Sequence, residues 1–479
     1  MLLLIYIKKG NDMKIKIDKS PKELKCDVLV INMFEEEGET SQELANKYAI
    51  EEDNFKGKFK ETYLLQTYDK IPARKILVIG MGKKEDLTSD KVREIGAKIT
   101  NKIKSIQAKI ISIDLTNMEE YKGALAEGLL IGNYKFDKYK SDKKDNEEDI
   151  EISIDIDEKV LKRAEIIISA MENARDMANE PASVMTPSKL AEIAQHLNLN
   201  TKIYSGYEIE EMNMGAFSAV AKGSSEDPKF IHITYSPKNA KKKIAIIGKG
   251  ITFDSGGLNI KPASSMLTMR DDMSAAACVL GVMSKLKELN AEVEVHGIIA
   301  ACENMPGCSA YKQGDVLTAR NGKTIEVDNT DAEGRLTLAD ALCYACELEV
   351  DEVIDLATLT GACMVALGTQ AAGIFGNNQE LIDRLIQSAN EAGERYWQLP
   401  MYKEYGDGLK SEMADMKNSG GRWGGASSAA IFLQNFVKEN QKWAHIDIAG
   451  VAFLDSAQKY YTKGATGAGV RALINYILK

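Results

Sequence analysis

The sequence predicts an α/β protein of two domains, a smaller N-terminal one and a larger C-terminal one. Three observations carry that prediction. Between residue 13 and about residue 135, strand-like runs (Val28 to Ile31, Ile76 to Ile79, Ile110 to Ile113) alternate with a helix-like stretch around Asp90 to Ile106, as in proteins that interleave strands and helices. At 479 residues the chain is too long for a single compact core and predicts two or three domains. From about Asp137 to Asp157 it becomes a dense mix of Lys, Asp and Glu, including the run from Ser141 to Asp149. Such a run reads as an exposed linker or hairpin, and it places the domain boundary there.

In chain order, residues 1–12 come first. The opening Met1 to Ile7 is apolar, but it is shorter than a signal-peptide core and lacks both a basic flank and a cleavage site. Met13 opens a second strand-like segment, Met13 to Ile17, so residues 1–12 read as an extension from an early start codon. Residues 13–157 form the N-terminal α/β domain, and residues 158–180 a connecting helix. Residues 181–479 form the larger domain, with a helix start where Thr186 precedes Pro187. No internal repeat is visible, and no other run approaches the length of a membrane span.

Composition narrows the class further. A net charge of -10 and a pI near 5.3 disfavour a general nucleic-acid binder. Seven cysteines, an odd number in or near apolar elements, point to reduced thiols in a reducing compartment. Cys343 and Cys346 sit three apart on a helix-like stretch with no matching pair elsewhere, and read as core.

The chemistry concentrates in two segments. The first is Asn329-Thr330-Asp331-Ala332-Glu333-Gly334-Arg335-Leu336, which follows the β-prone run Thr324 to Val327. If the backbone stays extended through Asp331 and Glu333, both carboxylates point to one side. The second follows the apolar run Ile244 to Ile247 and reads Gly248-Lys249-Gly250-Ile251-Thr252-Phe253-Asp254-Ser255-Gly256-Gly257, continuing to Lys261-Pro262. Its glycines let the backbone bend closely around something. It is no phosphate cradle: Phe253 stands where a dinucleotide fingerprint needs Gly, and no Walker Gly-Lys-Ser/Thr follows. Gly80-Met81-Gly82 fails similarly, with Glu85 in place of the third glycine. Further on, Met269-Arg270-Asp271-Asp272-Met273 adds two acids just before the small apolar run Ala275 to Cys278, which reads as the start of a buried helix.

Lys249, Asp254, Asp272, Asp331 and Glu333 thus form a carboxylate-rich set near strand ends and helix starts, where ligands gather in open α/β sheets. Oxygen ligands suit magnesium, manganese or zinc, and four carboxylates have charge enough for two ions. Two ions about 3.5 to 4 Å apart bring the pKa of a shared water from about 15.7 toward 7, which is hydrolytic chemistry. Lys249 reads either as a neutral-amine ligand or as a surface charge. Lys261 suits polarisation of a carbonyl oxygen. The four histidines, His196, His232, His296 and His445, lie outside the acidic clusters and read as structural or surface residues, and no HExxH pattern is present.

These segments resemble the leucine aminopeptidase (cytosol aminopeptidase) family of dinuclear metallopeptidases, whose signature is the octapeptide from Asn329 to Leu336. The resemblance runs through roughly the C-terminal three hundred residues, including Asn179-Glu180-Pro181, Cys302 to Pro306, Gly314-Asp315-Val316, Ala357 to Ala362, Trp443 to Gly450 and Thr466 to Arg471. It implies a catalytic domain with a central mixed sheet flanked by helices. Carried over, it implies that Lys249, Asp254, Asp272 and Glu333 hold one divalent ion while Asp254, Asp331 and Glu333 hold the other. The two ions per subunit would be Mn or Zn, with Mg or Co as substitutes. It further implies that Lys261 is the electrophilic helper and that Arg335 anchors a bicarbonate acting as general base. Met269, Asn329, Thr358, Leu359 and Gly361 become the substrate-binding residues, in an apolar pocket preferring Leu or Met at the free N-terminus of short peptides.

A cytoplasmic homohexamer, a dimer of trimers, is the implied assembly, with no membrane partner. Neighbouring readings are a cysteinylglycine dipeptidase and a DNA-binding regulatory protein, the second disfavoured by the acidic charge. One departure stands out: Ala275 replaces the glycine usual in the family, which predicts slightly altered backbone packing near Asp272 without loss of the metal. Asp272 rather than Asp271 is the expected ligand, because the resemblance places the ligand directly before Met273.

Overall fold

The structure, a computed structural model, describes residues 13–35, 55–115, 118–141 and 149–479. Residues 1–12, read above as an extension, lie outside the described residues, as do 142–148 of the charged run. The chain divides into two compact units, Met1–Ile168 with Ala457–Thr462, and Ser169–Ser456 with Lys463–Lys479.

Among the described residues the first unit is built on six strands: β1 (Met13–Ile17), β2 (Cys26–Met33), β3 (Thr62–Gln66), β4 (Ala73–Gly80), β5 (Ile110–Asp114) and β6 (Ile150–Ile154). Their order is β1-β6-β5-β2-β4-β3, parallel throughout except for β3 at one edge. Helix α1 (Ser89–Ser105) starts where the Thr88 hydroxyl accepts the Lys91 amide, and it buries Val92, Ile95, Ile99 and Ile103 at helical spacing. With α2 (Lys122–Asn133) it covers the sheet face carrying Val28, Val30, Leu77, Ile79 and Ile111.

β6 departs from the sequence reading. Residues 150–154 fall inside the stretch that reads as an exposed linker or hairpin, yet they form a strand that pairs parallel with both β1 and β5. Ile150, Ile152 and Ile154 recur every second residue and are buried, so one face of a strand is apolar although the surrounding composition is charged. Helix α3 (Glu158–Asn179) follows, and the division between the units falls within it, at Ile168/Ser169.

The second unit is a mixed sheet of eight strands flanked by helices. In chain order they are β7 (Asn200–Tyr204), β8 (Lys229–Tyr235), β9 (Lys243–Asp254), β10 (Glu294–Asn304), then, after β11 (Val316–Thr318) and β12 (Thr324–Glu326) of a small separate sheet, β13 (Glu352–Ala357), β14 (Ala372–Gly376), β15 (Tyr396–Gln398) and, after β16 (Met416–Lys417) of that small sheet, β17 (Lys442–Asp447). Across the sheet the order is β15-β14-β17-β13-β9-β10-β8-β7, and the central four, β17 to β10, are parallel.

Strands buried on both faces read as continuous apolar runs, as Ile244 to Ile247 and Val353 to Leu356 nearly do. Helices α4 (Ser274–Met283) and α5 (Gly334–Cys346) pack onto this sheet, α4 buried along its whole length. Asp254, Asn304, Ala357 and Asp447 each close a central strand at its C-terminal end. All seven cysteines are unpaired, with Cys308 exposed and the others buried. Among the described residues no helix is long and apolar enough to cross a membrane.

Candidate metal centre

β9 continues through Gly248-Lys249-Gly250 to Asp254, so these two glycines do not bend the chain as the sequence suggested. The bend comes at Gly256 (φ +88°) and Gly257 (φ +64°), a backbone region that side chains rarely adopt. A Cβ at Gly256 would also stand 2.4 Å from the Asn259 carbonyl oxygen and 2.9 Å from Asp331 Oδ1. The loop therefore folds back onto the acidic octapeptide. It carries Lys261 with it.

The octapeptide is not extended, contrary to the condition set above. Asn329 Oδ1 accepts the Asp331 amide (2.8 Å), the Ala332 amide reaches the Asn329 carbonyl (3.2 Å), and Glu333 has helical dihedrals (φ -76°, ψ -38°) as the N-cap of α5. Asn followed by Thr and Asp favours this side-chain-mediated turn over a strand. Asp331 and Glu333 converge on the site through the turn instead of through strand alternation. Asn329 is engaged in shaping that turn.

Asp254, Asp272 and Glu333 are buried, and one oxygen from each lies within 4.8 Å of the others. Lys249 Nζ stands 2.8 Å from Asp272 Oδ1 and 2.8 Å from Glu333 Oε1, and it donates to the Thr358 carbonyl at 3.2 Å. Lys261 Nζ bridges Asp254 Oδ2 (2.9 Å) and Asp331 Oδ1 (2.6 Å). All five ligand candidates and Lys261 are thus brought together. Asp271 is not part of the cluster.

The electrostatics are those of an acid-rich site removed from water. Burial, then the neighbouring Asp254, pushes the Glu333 carboxyl up against the opposing pull of Lys249. Asp272 is pushed well up by burial, with Lys249 opposing and Asp254 adding to the rise. Burial alone would lower the pKa of both Lys249 and Lys261, but the surrounding carboxylates outweigh it and raise both; a divalent cation competing for those same carboxylates would displace the Lys249 proton and leave its neutral amine as a ligand. Asp272 Oδ2 and Glu333 Oε2 are buried without a hydrogen-bond partner. Buried acceptors left over in a set of carboxylates and a primary amine are what a divalent cation requires, so the residues fit the metals that the sequence implied.

Arg335 lies in the first turn of α5. Its Nη1 donates to the Asn418 carbonyl (2.8 Å), its Nε is buried without a partner, and burial lowers its pKa to about 10. Thr358 Oγ1 donates to Asp272 Oδ1 (2.7 Å). Leu359 and Thr360 are tied to Asp447 through the Leu359 amide (3.2 Å) and the Thr360 hydroxyl (2.7 Å). A methyl group at Gly361 would meet nothing within 4 Å, so this position faces open space. Met269 is half-buried in the short turn before Asp272 and makes no hydrogen bond to the cluster. None of the histidines touches the carboxylates: His196 is exposed, His232 and His296 share a hydrogen bond (2.9 Å), and His445 Nδ1 faces Asp355 (2.6 Å).

Several residues that brace the centre were not singled out from the sequence. A β-bulge in the β9/β10 ladder sets Asn304 beside Asp254, where its Nδ2 donates to Asp254 Oδ1 (2.8 Å) and to the Thr330 carbonyl (3.0 Å). Asn259 and Thr330 exchange hydrogen bonds across the two loops, and the Tyr311 hydroxyl donates to the Thr330 carbonyl. Fully buried Asn418 accepts the Asp328 amide and donates to the Asn329 carbonyl. Asn304 stands inside a motif quoted for the resemblance, which was signal enough to find it. Asn418 carries no local signal, because its partners lie some ninety residues away.

Comparison with known proteins adds an independent finding. Residues 172–474 match the sequence model described as "Cytosol aminopeptidase family, catalytic domain", and residues 34–143 match that family's N-terminal domain. A probable cytosol aminopeptidase of Aquifex aeolicus is 45% identical over 445 residues, covering 90% of each chain. One from Persephonella marina is 45% identical over 446 residues, covering 89% of this chain and 90% of its own. Among solved structures, a mutant tomato leucine aminopeptidase superposes with a TM-score of 0.88 at 34% identity, covering 98% of this chain and 97% of its own. The bottromycin maturation enzyme BotP in complex with Mn gives 0.85 at 30% identity, covering 94% and 99%.

Proposed function

The chain belongs to the cytosol aminopeptidase family and is therefore a metal-dependent aminopeptidase; from this premise we propose that it removes Leu, Met and other apolar residues one at a time from the free N-termini of short peptides. The observation that carries the reading is the convergence of buried Asp254, Asp272 and Glu333 around two lysines, with acceptor oxygens left over. In this proposal Lys249, Asp254, Asp272 and Glu333 hold one divalent cation and Asp254, Asp331 and Glu333 the second, with manganese or zinc the best fit. Such ions supply Lewis-acid polarisation of the scissile carbonyl and acidify an attacking water.

The chain's own groups do the rest. Lys261, kept charged by Asp254 and Asp331, donates a hydrogen bond to the carbonyl oxygen as negative charge develops there. The Arg335 guanidinium, with a buried Nε still to be matched, holds a planar anion such as bicarbonate beside the site, where that anion supplies a general base. Thr358 fixes the orientation of Asp272. The substrate side chain lies along Met269, Leu359 and Gly361, while Asn329 shapes the wall by holding its turn. A homohexamer is the assembly proposed with this function.

The test is hydrolysis of a leucyl anilide by metal-stripped protein, with each divalent ion restored in turn and Cys-Gly run alongside. Activity should vanish on stripping and return with manganese or zinc, faster on the leucyl substrate. Undiminished cleavage after chelation would reject the metal centre, and faster cleavage of Cys-Gly would reject the substrate preference.

A further inference from the structure

Between β16 and the helix Gly425–Gln434 the chain makes a loop anchored at both ends beside the candidate site. At one end, Asn418 holds the turn of the acidic octapeptide and takes Arg335 on its carbonyl. At the other, a Cβ on Gly425 would stand 3.1 Å from Ala362 Cβ, next to the open position at Gly361. Inside these anchors Gly420 is pressed against Ser428 and Gly408, and Gly424 (φ +61°) lies on the Tyr405 ring, where a Cβ would come within 2.7 Å. Between these anchors residues 421–424 are exposed.

The projecting tip is an exposed cation on an exposed aromatic. Trp423 is 82% exposed, and the Arg422 guanidinium carbon sits 5.2 Å from the centroid of its ring. Among the described residues Arg422 has no hydrogen-bond or ion-pair partner, whereas most of the charge facing the neighbouring site is acidic. With successive Cα atoms about 3.8 Å apart, Trp423 Cα lies within about 7.6 Å of Gly425 Cα. A dipeptide spans about 7 Å. The tip thus follows directly from the segment packed beside Ala362 and Gly361, at the edge of the candidate site.

We propose that Arg422 and Trp423 recognise the far end of the substrate: the guanidinium takes the C-terminal carboxylate of a dipeptide or tripeptide, and the indole covers the residue after the scissile bond. This rests on the aminopeptidase reading and adds a substrate class to it, short peptides with a free carboxylate. A planar guanidinium matches a carboxylate through two parallel hydrogen bonds, and exposed Trp and Arg are the side chains that most often dominate recognition. A longer peptide carries its carboxylate past the tip.

The test compares kcat/KM for Leu-Gly and a Leu-headed pentapeptide, each as the free acid and the C-terminal amide, on the metal-loaded enzyme and on Arg422→Gln, Arg422→Lys and Trp423→Ala. The wild type should favour the Leu-Gly acid over its amide by roughly fivefold, as expected for an exposed ion pair. The difference should lie mainly in KM and be absent for the pentapeptide and its amide. Arg422→Gln should erase the acid preference, Arg422→Lys should keep part of it, and Trp423→Ala should raise KM for both dipeptides. A wild type indifferent to the carboxylate, or a preference that survives Arg422→Gln, overturns the proposal while leaving the aminopeptidase reading intact. So does a change in sedimentation on Arg422→Gln, which would place the pair between copies of the chain. Failure of the wild type to cleave any Leu-headed substrate overturns the aminopeptidase reading itself.

Discussion

At the N-terminal ends of β9 and β13 lies one buried carboxylate, Glu352; at their C-terminal ends lie Asp254, Asp272 and Glu333. Burial is the same, but the partners differ. Glu352 accepts from Lys242 and the Tyr476 hydroxyl on one oxygen and from Arg384 on the other. Burial alone would raise its pKa, but these three donors hold it below the ordinary carboxylate value. Asp272 and Glu333 are pushed upward, and each keeps a buried oxygen with no donor. Burial of a carboxylate is thus no guide to function by itself. What distinguishes the two ends is whether the surrounding protein completes the coordination of the acid or leaves it for a ligand.

The sharpest test exchanges charge for amide at both ends. Asp254→Asn and Glu333→Gln should drop turnover of a leucyl anilide to below about one thousandth of wild type. Glu352→Gln should cost about 1–3 kcal/mol in urea unfolding, because it leaves Lys242 and Arg384 without their anion although both are partly exposed and regain some solvation, while kcat per folded molecule stays unchanged. If Glu352→Gln instead abolished activity at full stability, the contrast between the two ends would be broken.

Two smaller effects probe the C-terminal end alone. Lys261→Ala should lower kcat by about 10²–10³-fold, the range for losing one oxyanion donor, with metal content retained. Gly334→Ala tests a close approach: a Cβ there would stand 2.3 Å from Lys249 Cε and 2.6 Å from its Nζ. That side chain is held between Asp272 and Glu333 and cannot swing aside without leaving them. Metal affinity should fall by about 10–100-fold in a calorimetric titration; unchanged affinity would show that Lys249 is free to move.

The same contrast governs how much the sequence disclosed. The α/β class was legible in the alternating runs of the N-terminal part and in the apolar run that became β9, while the mixed sheet of the second unit followed, with the family, from the octapeptide and its companion motifs. The identities of the clustered residues were legible too, since motif spacing names side chains directly. Their geometry was not. Asp331 and Glu333 converge through a turn held by Asn329, and that turn is in turn braced by Asn418 across a long stretch of chain. A hydrogen bond to the backbone of a distant segment leaves no pattern in either segment. β6 was hidden for a different reason: Glu151 and Ser153 alternate with Ile150, Ile152 and Ile154 inside a stretch crowded with charge, and average composition outweighed period. Glu352 drew no notice because Lys242, Arg384 and Tyr476 come from three separate places in the chain.

The gentlest probe of the comparison is acid. Glu352 has a folded pKa below its ordinary value of 4.5, so on acidification the unfolded chain takes up this proton before the folded one does. Its contribution to stability is therefore complete above the unfolded value and is lost as pH falls through the folded one. Gln at position 352 is neutral throughout. The gap in unfolding free energy between wild type and Glu352→Gln should accordingly be constant at neutral pH and narrow progressively below about pH 4.5. A urea series carried from neutral to about pH 3 measures it. A gap that widened on acidification would mean that Glu352 is held protonated in the fold, and the N-terminal end would then resemble the candidate metal centre instead of opposing it.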